Sequence, residues 1–95
     1  MQKTKIMSKI STKITNNPSI VKFELDEIIV RNQNFEFKNI DETKDSPLAR
    51  QLFYLPFVKT VYISSNFIAI EKFSIVEWED VQEEVANQIE EFIKN

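Results

Sequence analysis

Residues 58–94 read VKTVYISSNFIAIEKFSIVEWEDVQEEVANQIEEFIK, and this stretch decides the fold. Its first part holds two runs rich in β-branched and aromatic residues, 58–63 and 67–72. Runs of this length and composition are typical of β-strands. Only Ser64, Ser65 and Asn66 separate them. The pattern therefore predicts an antiparallel hairpin.

The second part of the stretch predicts an amphipathic helix that runs to near the C-terminus. Ser74 and Glu77 have the spacing of a capping box, and Phe73 and Trp78 stand at the hydrophobic-staple positions around it. Apolar residues then recur every three or four positions along one stripe: Trp78, Val81, Val85, Ile89 and Phe92. Acidic residues occupy the opposite face: Glu79, Glu83, Glu84, Glu90 and Glu91. Such a stripe indicates a helix that packs on a sheet.

Upstream of residue 58 the chain predicts two further strands and a second helix. Residues 20–25 and 35–38 alternate apolar and polar side chains, as half-buried strands do. Ser46 is a good N-cap, Pro47 suits the first helical position, and Pro56 ends the helix. The order strand, strand, helix, strand, strand, helix favours an α+β, two-layer fold. We expect an antiparallel sheet with both helices on one face, and an extra N-terminal edge strand is compatible with the pattern.

The N-terminal residues differ in charge from the rest of the chain. Residues 1–22 contain five lysines and no acid, whereas residues 77–91 contain seven acids and no base. A basic, acid-poor start can mimic an organellar transit peptide, but this one contains no arginine. We interpret residues 1–14 as a basic arm or edge strand and residues 15–95 as the folded domain.

The composition excludes most kinds of chemistry. The 95 residues include no cysteine, no histidine and no glycine, and the net charge is −3. The chain therefore lacks thiolate and imidazole ligands for metals, a histidine base and a glycine-rich phosphate loop. Its acidity argues against nucleic-acid binding, and no apolar run approaches the ~20 residues that a membrane helix needs. We expect an interaction module that is not an enzyme, holds no cofactor and contacts neither nucleic acid nor membrane.

Several short blocks together resemble one known family, and they span about residues 15–93. The blocks are Thr15-Asn16-Asn17-Pro18, Lys22-Phe23, Ser46-Pro47-Leu48-Ala49 with Leu52-Phe53, Val58-Lys59-Thr60-Val61, Asn66-Phe67-Ile68-Ala69-Ile70-Glu71-Lys72 and Trp78. This pattern is similar to the N-terminal domain of Nfu/NifU-type iron–sulfur cluster scaffold proteins. Two positions depart from it: the first turn lacks the family's first proline, and Phe57 stands where the family has glycine.

The resemblance implies an accessory role in iron–sulfur cluster assembly or delivery. In that family a separate C-terminal domain holds the cluster through a Cys-x-x-Cys motif, so no cluster ligand can be carried over to this chain. The implied partners are the CxxC-containing NifU-like domain, other cluster-assembly proteins and client apoproteins. The resemblance also suggests a cytoplasmic bacterial setting. The alternative is a generic protein-interaction domain of the same fold outside the iron–sulfur pathway.

Two surfaces are candidates for partner binding. The first is the acidic helix face, through Glu79, Glu83, Glu84 and Glu90. Such a face is commonly just solvated. Its carboxylates Glu79, Asp80, Glu83 and Glu84 could instead hold a hard divalent cation or, transiently, ferrous iron. The second is an aromatic group of Tyr54, Phe57 and Tyr62, which could be interface residues. For Tyr54 and Tyr62 we favour half-buried sheet positions over this role. For Phe57 we favour a position in the core over an exposed one.

Overall fold

The computed structural model describes residues 10–94. They form one five-stranded antiparallel sheet in the order β1-β2-β5-β4-β3, with two α-helices. The strands are β1 (Ser11–Ile14), β2 (Ile20–Glu24), β3 (Asn34–Phe37), β4 (Val58–Ser64) and β5 (Phe67–Lys72), and the helices are α1 (Pro47–Phe53) and α2 (Trp78–Lys94). The predicted α+β fold is confirmed, including the N-terminal edge strand. Residues 1–9 of the expected basic arm lie outside the described part.

The core lies between the sheet and the two helices. The three central strands align in register, so that Val21, Ile70 and Val61 form one row, and Phe23 and Ile68 belong to the next. All five side chains are buried. From α2 the predicted stripe supplies Trp78, Val81, Val85 and Ile89 to the same core. Both helices therefore cover one face of the sheet, as predicted.

The opposite face of the sheet carries no helix within residues 10–94 and is only partly shielded. Lys22 places its Nζ atom 4.3 Å from the centroid of the Phe67 ring. The Tyr62 ring lies 6.0 Å from the same ring. Glu24 and Glu71 make ion pairs with lysines on this face. It is an open, mixed polar and aromatic surface.

The local sequence correctly predicts how α1 begins but not where α2 begins. At α1 the prediction is confirmed, because the Ser46 side-chain oxygen accepts a hydrogen bond from the Ala49 N–H at 3.3 Å. At α2 the predicted capping box is wrong, because the helix begins at Trp78 and not after Ser74. Residues 73–77 instead connect β5 to α2, and the Phe73 N–H donates to the Phe57 carbonyl, which prolongs the sheet pairing.

Two turns adopt left-handed backbone conformations without glycine. Asn32 has φ 61° and Ser65 has φ 52°. Asparagine tolerates this region better than most residues that carry a Cβ atom. Ser65 lies in the hairpin between β4 and β5, where a left-handed residue closes the turn. Phe57, which stands where the similar family has glycine, is not among the positive-φ residues, so its turn does not need a glycine.

Candidate functional site

The acidic face of α2 is displayed as the periodicity predicted. Glu79, Glu83 and Glu84 are exposed, and Glu90 is half-buried beside Ile89. A shallow depression of about 390 Å³ runs along this face between Asp80, Glu83, Glu84, Asn87, Gln88 and Glu91. Every ion pair within residues 10–94 involves the sheet, and none involves α2. The carboxylates of α2 thus form a single-sign surface, which is suited to a basic partner.

The residues of the chain do not fit an iron–sulfur cluster. Such clusters are held by cysteine thiolates, with histidine replacing two of them in some centres, and the sequence contains neither residue. Within residues 10–94, moreover, no three acidic side chains converge in a way that could hold a metal ion. The carboxylates of α2 are therefore spaced along the helix and do not form a coordination cage.

The aromatic residues predicted from the sequence do not form one site. Tyr54 caps the end of α1, is 61% exposed, and its hydroxyl accepts a hydrogen bond from Arg50 Nε at 3.3 Å. Tyr62 lies on the open face of the sheet against Phe67. The two tyrosines therefore belong to different layers of the fold.

Phe57 is only 5% exposed and belongs to the core. The favoured interpretation of this residue is confirmed, and Phe57 as an exposed partner contact is wrong. The reason is that it leads directly into β4, whose Val58 and Val61 are buried in the same cluster. Burying a large apolar side chain at this point is more favourable than leaving it in contact with water.

The fold also contains an apolar groove that was not predicted from the sequence. It opens between the end of α2, the start of α1 and the β3–β4 side of the sheet, and its volume is about 730 Å³. Ile29 and Val30, which come from the loop after β2, form part of its lining. The one sequence signal was the apolar run at residues 28–30, which lies outside every strand. The groove could not be predicted from the sequence, because elements that are distant along the chain meet there.

The chain is similar to known proteins of one family. Residues 10–95 match the family model described as scaffold protein Nfu/NifU N terminal. The NFU1 iron-sulfur cluster scaffold homolog, mitochondrial, of Drosophila willistoni is 33% identical over 84 residues, which cover 87% of this chain. NifU-like protein 4, mitochondrial, of Arabidopsis thaliana is 26% identical over 83 residues. The matched region makes up 29% of the length of each of these two relatives.

Solved structures agree with the fold. A NifU-like protein from Saccharomyces cerevisiae superposes with a TM-score of 0.80 and 28% identity, covering 92% of this chain and 79% of that one. Protein SAV1430 from Staphylococcus aureus gives a TM-score of 0.71 at 22% identity, over 84% of this chain and 96% of that one, and supports the fold alone.

The relatives also correct one expectation. The predicted cytoplasmic setting is wrong, because the similar proteins from fly and plant are named as mitochondrial. The cytoplasmic expectation assumed that mitochondrial members of the family carry transit segments longer than this basic start.

Proposed function

The chain belongs to the family of Nfu/NifU scaffold N-terminal domains, and on that premise we propose that it is an accessory domain of an iron–sulfur cluster scaffold. It acts through protein contacts and does not hold the cluster itself. One observation carries this proposal: a chain that belongs to this family contains no cysteine or histidine that could bind a cluster. A scaffold domain without cluster ligands serves assembly by bringing other proteins together.

The partners proposed are a CxxC-containing NifU-like domain, other cluster-assembly proteins and client apoproteins. The acidic face of α2 is the surface that recruits them, since it concentrates like charge on a rigid helix. Such a surface raises the rate of encounter with basic partners and confers salt sensitivity more than it raises affinity. The domain carries out no catalysis of its own, and mitochondria are its proposed location.

The direct test is a titration of the isotope-labelled full chain with a purified CxxC-containing NifU-like domain, followed by backbone NMR. We expect saturable shifts that concentrate on α2 around Glu79, Glu83 and Glu84. Serum albumin, an acidic protein without a role in assembly, is the control and should leave the spectrum unchanged. An unchanged spectrum with the CxxC domain, with cluster-assembly proteins and with client apoproteins would contradict the proposal. Binding only to proteins outside the pathway would favour the generic interaction domain.

A further inference from the structure

Within the described residues, the groove beside the end of α2 has an apolar floor that no other part of the fold covers. Its floor is formed by side chains from five parts of the chain: Val30, Phe35, Leu48, Ile63, Phe92 and Ile93. Phe35 is 40% exposed although it stacks on the buried Phe37, with the ring centroids 6.4 Å apart. The volume of about 730 Å³ lies within the ~300–1,000 Å³ that ligand sites commonly enclose. Several apolar side chains of a partner would fit there.

Among the described residues, the rim of the groove carries only negative charge. Glu27, Glu42 and Asp45 line it, and no lysine or arginine belongs to its lining within residues 10–94. The Glu42 carboxylate is held in place, because its Oε1 atom accepts a hydrogen bond from the Lys38 backbone N–H at 2.8 Å. Phe92 and Ile93 lie in the last turn of α2, where the unpaired carbonyl groups add partial negative charge. Lys94 follows at the helix end but is not part of the lining.

We propose that this groove binds a cationic amphipathic segment of a partner protein. Its apolar side chains occupy the floor against Phe35 and Phe92, and its lysines or arginines pair with Glu27, Glu42 and Asp45. An apolar face laid in a groove with flanking charges is a recurrent mode of peptide recognition. The inference rests on the proposed function, because it assumes that the chain acts through protein contacts, and it adds a second surface and the chemistry of the occupant.

Charge complementarity selects this occupant over others. A fatty acid or an anionic lipid would bring its negative group against three carboxylates, which is unfavourable. A second copy of the chain has a net charge of −3, and only its basic residues 1–22 could meet the rim favourably. A cationic segment alone neutralises the rim while it covers the floor.

The test uses the full chain and two synthetic helix-forming peptides that share leucines at i, i+3, i+4 and i+7 spacing. One peptide has lysines at its remaining polar positions and the other has glutamates. We expect saturable binding of the lysine peptide by fluorescence anisotropy, and binding of the glutamate peptide weaker by about tenfold or more. Chemical shifts should move at Phe35, Phe92 and Ile93.

Two variants test the groove, each with a matched control. Phe35→Ser should weaken binding of the lysine peptide by about tenfold. Ile75→Ser should not weaken it, because Ile75 is 77% exposed and lies outside the groove. Because Phe35→Ser could fail to fold, Glu27→Gln with Asp45→Asn provides a second probe on exposed residues. This pair should weaken binding by about fivefold and reduce its salt dependence. Glu36→Gln with Asp41→Asn, at two exposed carboxylates outside both the groove and α2, should change neither.

Several outcomes would overturn the inference. Equal binding of both peptides, or shifts confined to α2 around Glu83, would place recognition elsewhere while the proposed function survived. Concentration-dependent dimerisation that Phe35→Ser abolishes would make a second copy the occupant. Tighter peptide binding after removal of residues 1–9 would make the chain's own basic start the occupant. Groove binding of the peptide without binding of any assembly protein would instead contradict the proposed function.

Discussion

Trp78 Nε1 donates a hydrogen bond to the carbonyl oxygen of Ser19 at 2.9 Å. The same carbonyl accepts a second hydrogen bond from the Lys72 backbone N–H at 3.0 Å. The Trp78 ring also packs against Phe23, with the ring centroids 5.8 Å apart. One backbone carbonyl therefore joins the start of β2, the end of β5 and the first residue of α2. This junction fixes where α2 begins on the sheet.

Substitutions at Trp78 should separate the hydrogen bond from the packing. Trp78→Phe keeps an aromatic ring against Phe23 but removes the indole donor, so the free energy of unfolding should fall by about 1 kcal/mol. Trp78→Ala also leaves a cavity and should lower it by roughly 3–5 kcal/mol. Urea denaturation measures both values. Glu83→Gln on the exposed face of α2 is the control and should stay within about 0.5 kcal/mol. Equal losses in all three variants would show that Trp78 is not the anchor.

Replacing Ser65 with glycine should stabilise the protein. Its φ of 52° is unfavourable for a residue with a Cβ atom, and its carbonyl accepts hydrogen bonds from the Ile29 and Val30 N–H groups. Ser65→Gly removes the steric strain of the left-handed backbone conformation. Part of this stabilisation is lost because glycine makes the unfolded chain more flexible, so the free energy of unfolding should rise by up to about 1 kcal/mol. Ser65→Val should lower it by about 1–2 kcal/mol, because a β-branched residue disfavours this region.

The neighbouring serine is the matched control for that prediction. Ser64 lies within β4 and is not among the positive-φ residues. Ser64→Gly should therefore lower the free energy of unfolding by about 0.5–1 kcal/mol. Thermal and urea unfolding of both glycine variants should give opposite signs. If both destabilise equally, the left-handed turn carries no measurable strain.

Local patterns predicted the elements of this fold but not where distant ones meet. The strands were predicted because alternation reports burial directly, and Ser46 was predicted as a cap because its partner, Ala49, is three residues away. Ser74 failed as a cap although its local signal was stronger. Trp78 is tied to Ser19, 59 residues earlier, and that tertiary contact fixes the helix start against the local signal. The groove was missed for the same reason, since Val30, Phe35 and Phe92 become neighbours only in the folded chain.

Reconstitution with iron should leave the chain without a cluster. Purified chain incubated anaerobically with iron, sulfide and a thiol should lose all visible absorption on desalting, because it offers no thiolate or imidazole ligand. A CxxC-containing NifU-like domain treated in parallel is the positive control. A stoichiometric chromophore that stays with this chain after desalting would mean that carboxylates alone hold the metal, and the accessory role would have to be revised.

Charge reversal on α2 tests the recruiting surface. The triple variant Glu79→Lys, Glu83→Lys and Glu90→Lys leaves the apolar stripe untouched, so it should fold with an unchanged far-ultraviolet circular dichroism spectrum. It should weaken binding to the purified CxxC-containing domain by about tenfold at low ionic strength, because the attraction to a basic partner becomes repulsion. The difference should shrink toward ~1 M ionic strength, where the screening length falls to about 3 Å.

The matched control for this variant makes the same change in net charge elsewhere. Asp26, Glu36 and Asp41 are exposed and lie outside α2. Replacing these three residues with lysine should leave the affinity nearly unchanged if the position of the charges on α2 matters. If only the overall charge matters, it should weaken binding as much as the triple α2 variant does. A triple α2 variant that binds with wild-type affinity and wild-type salt dependence would show that the acidic face is solvated surface. Recruitment would then have to use another surface, and the groove beside Phe35 and Phe92 offers the apolar contact area that the acidic face lacks.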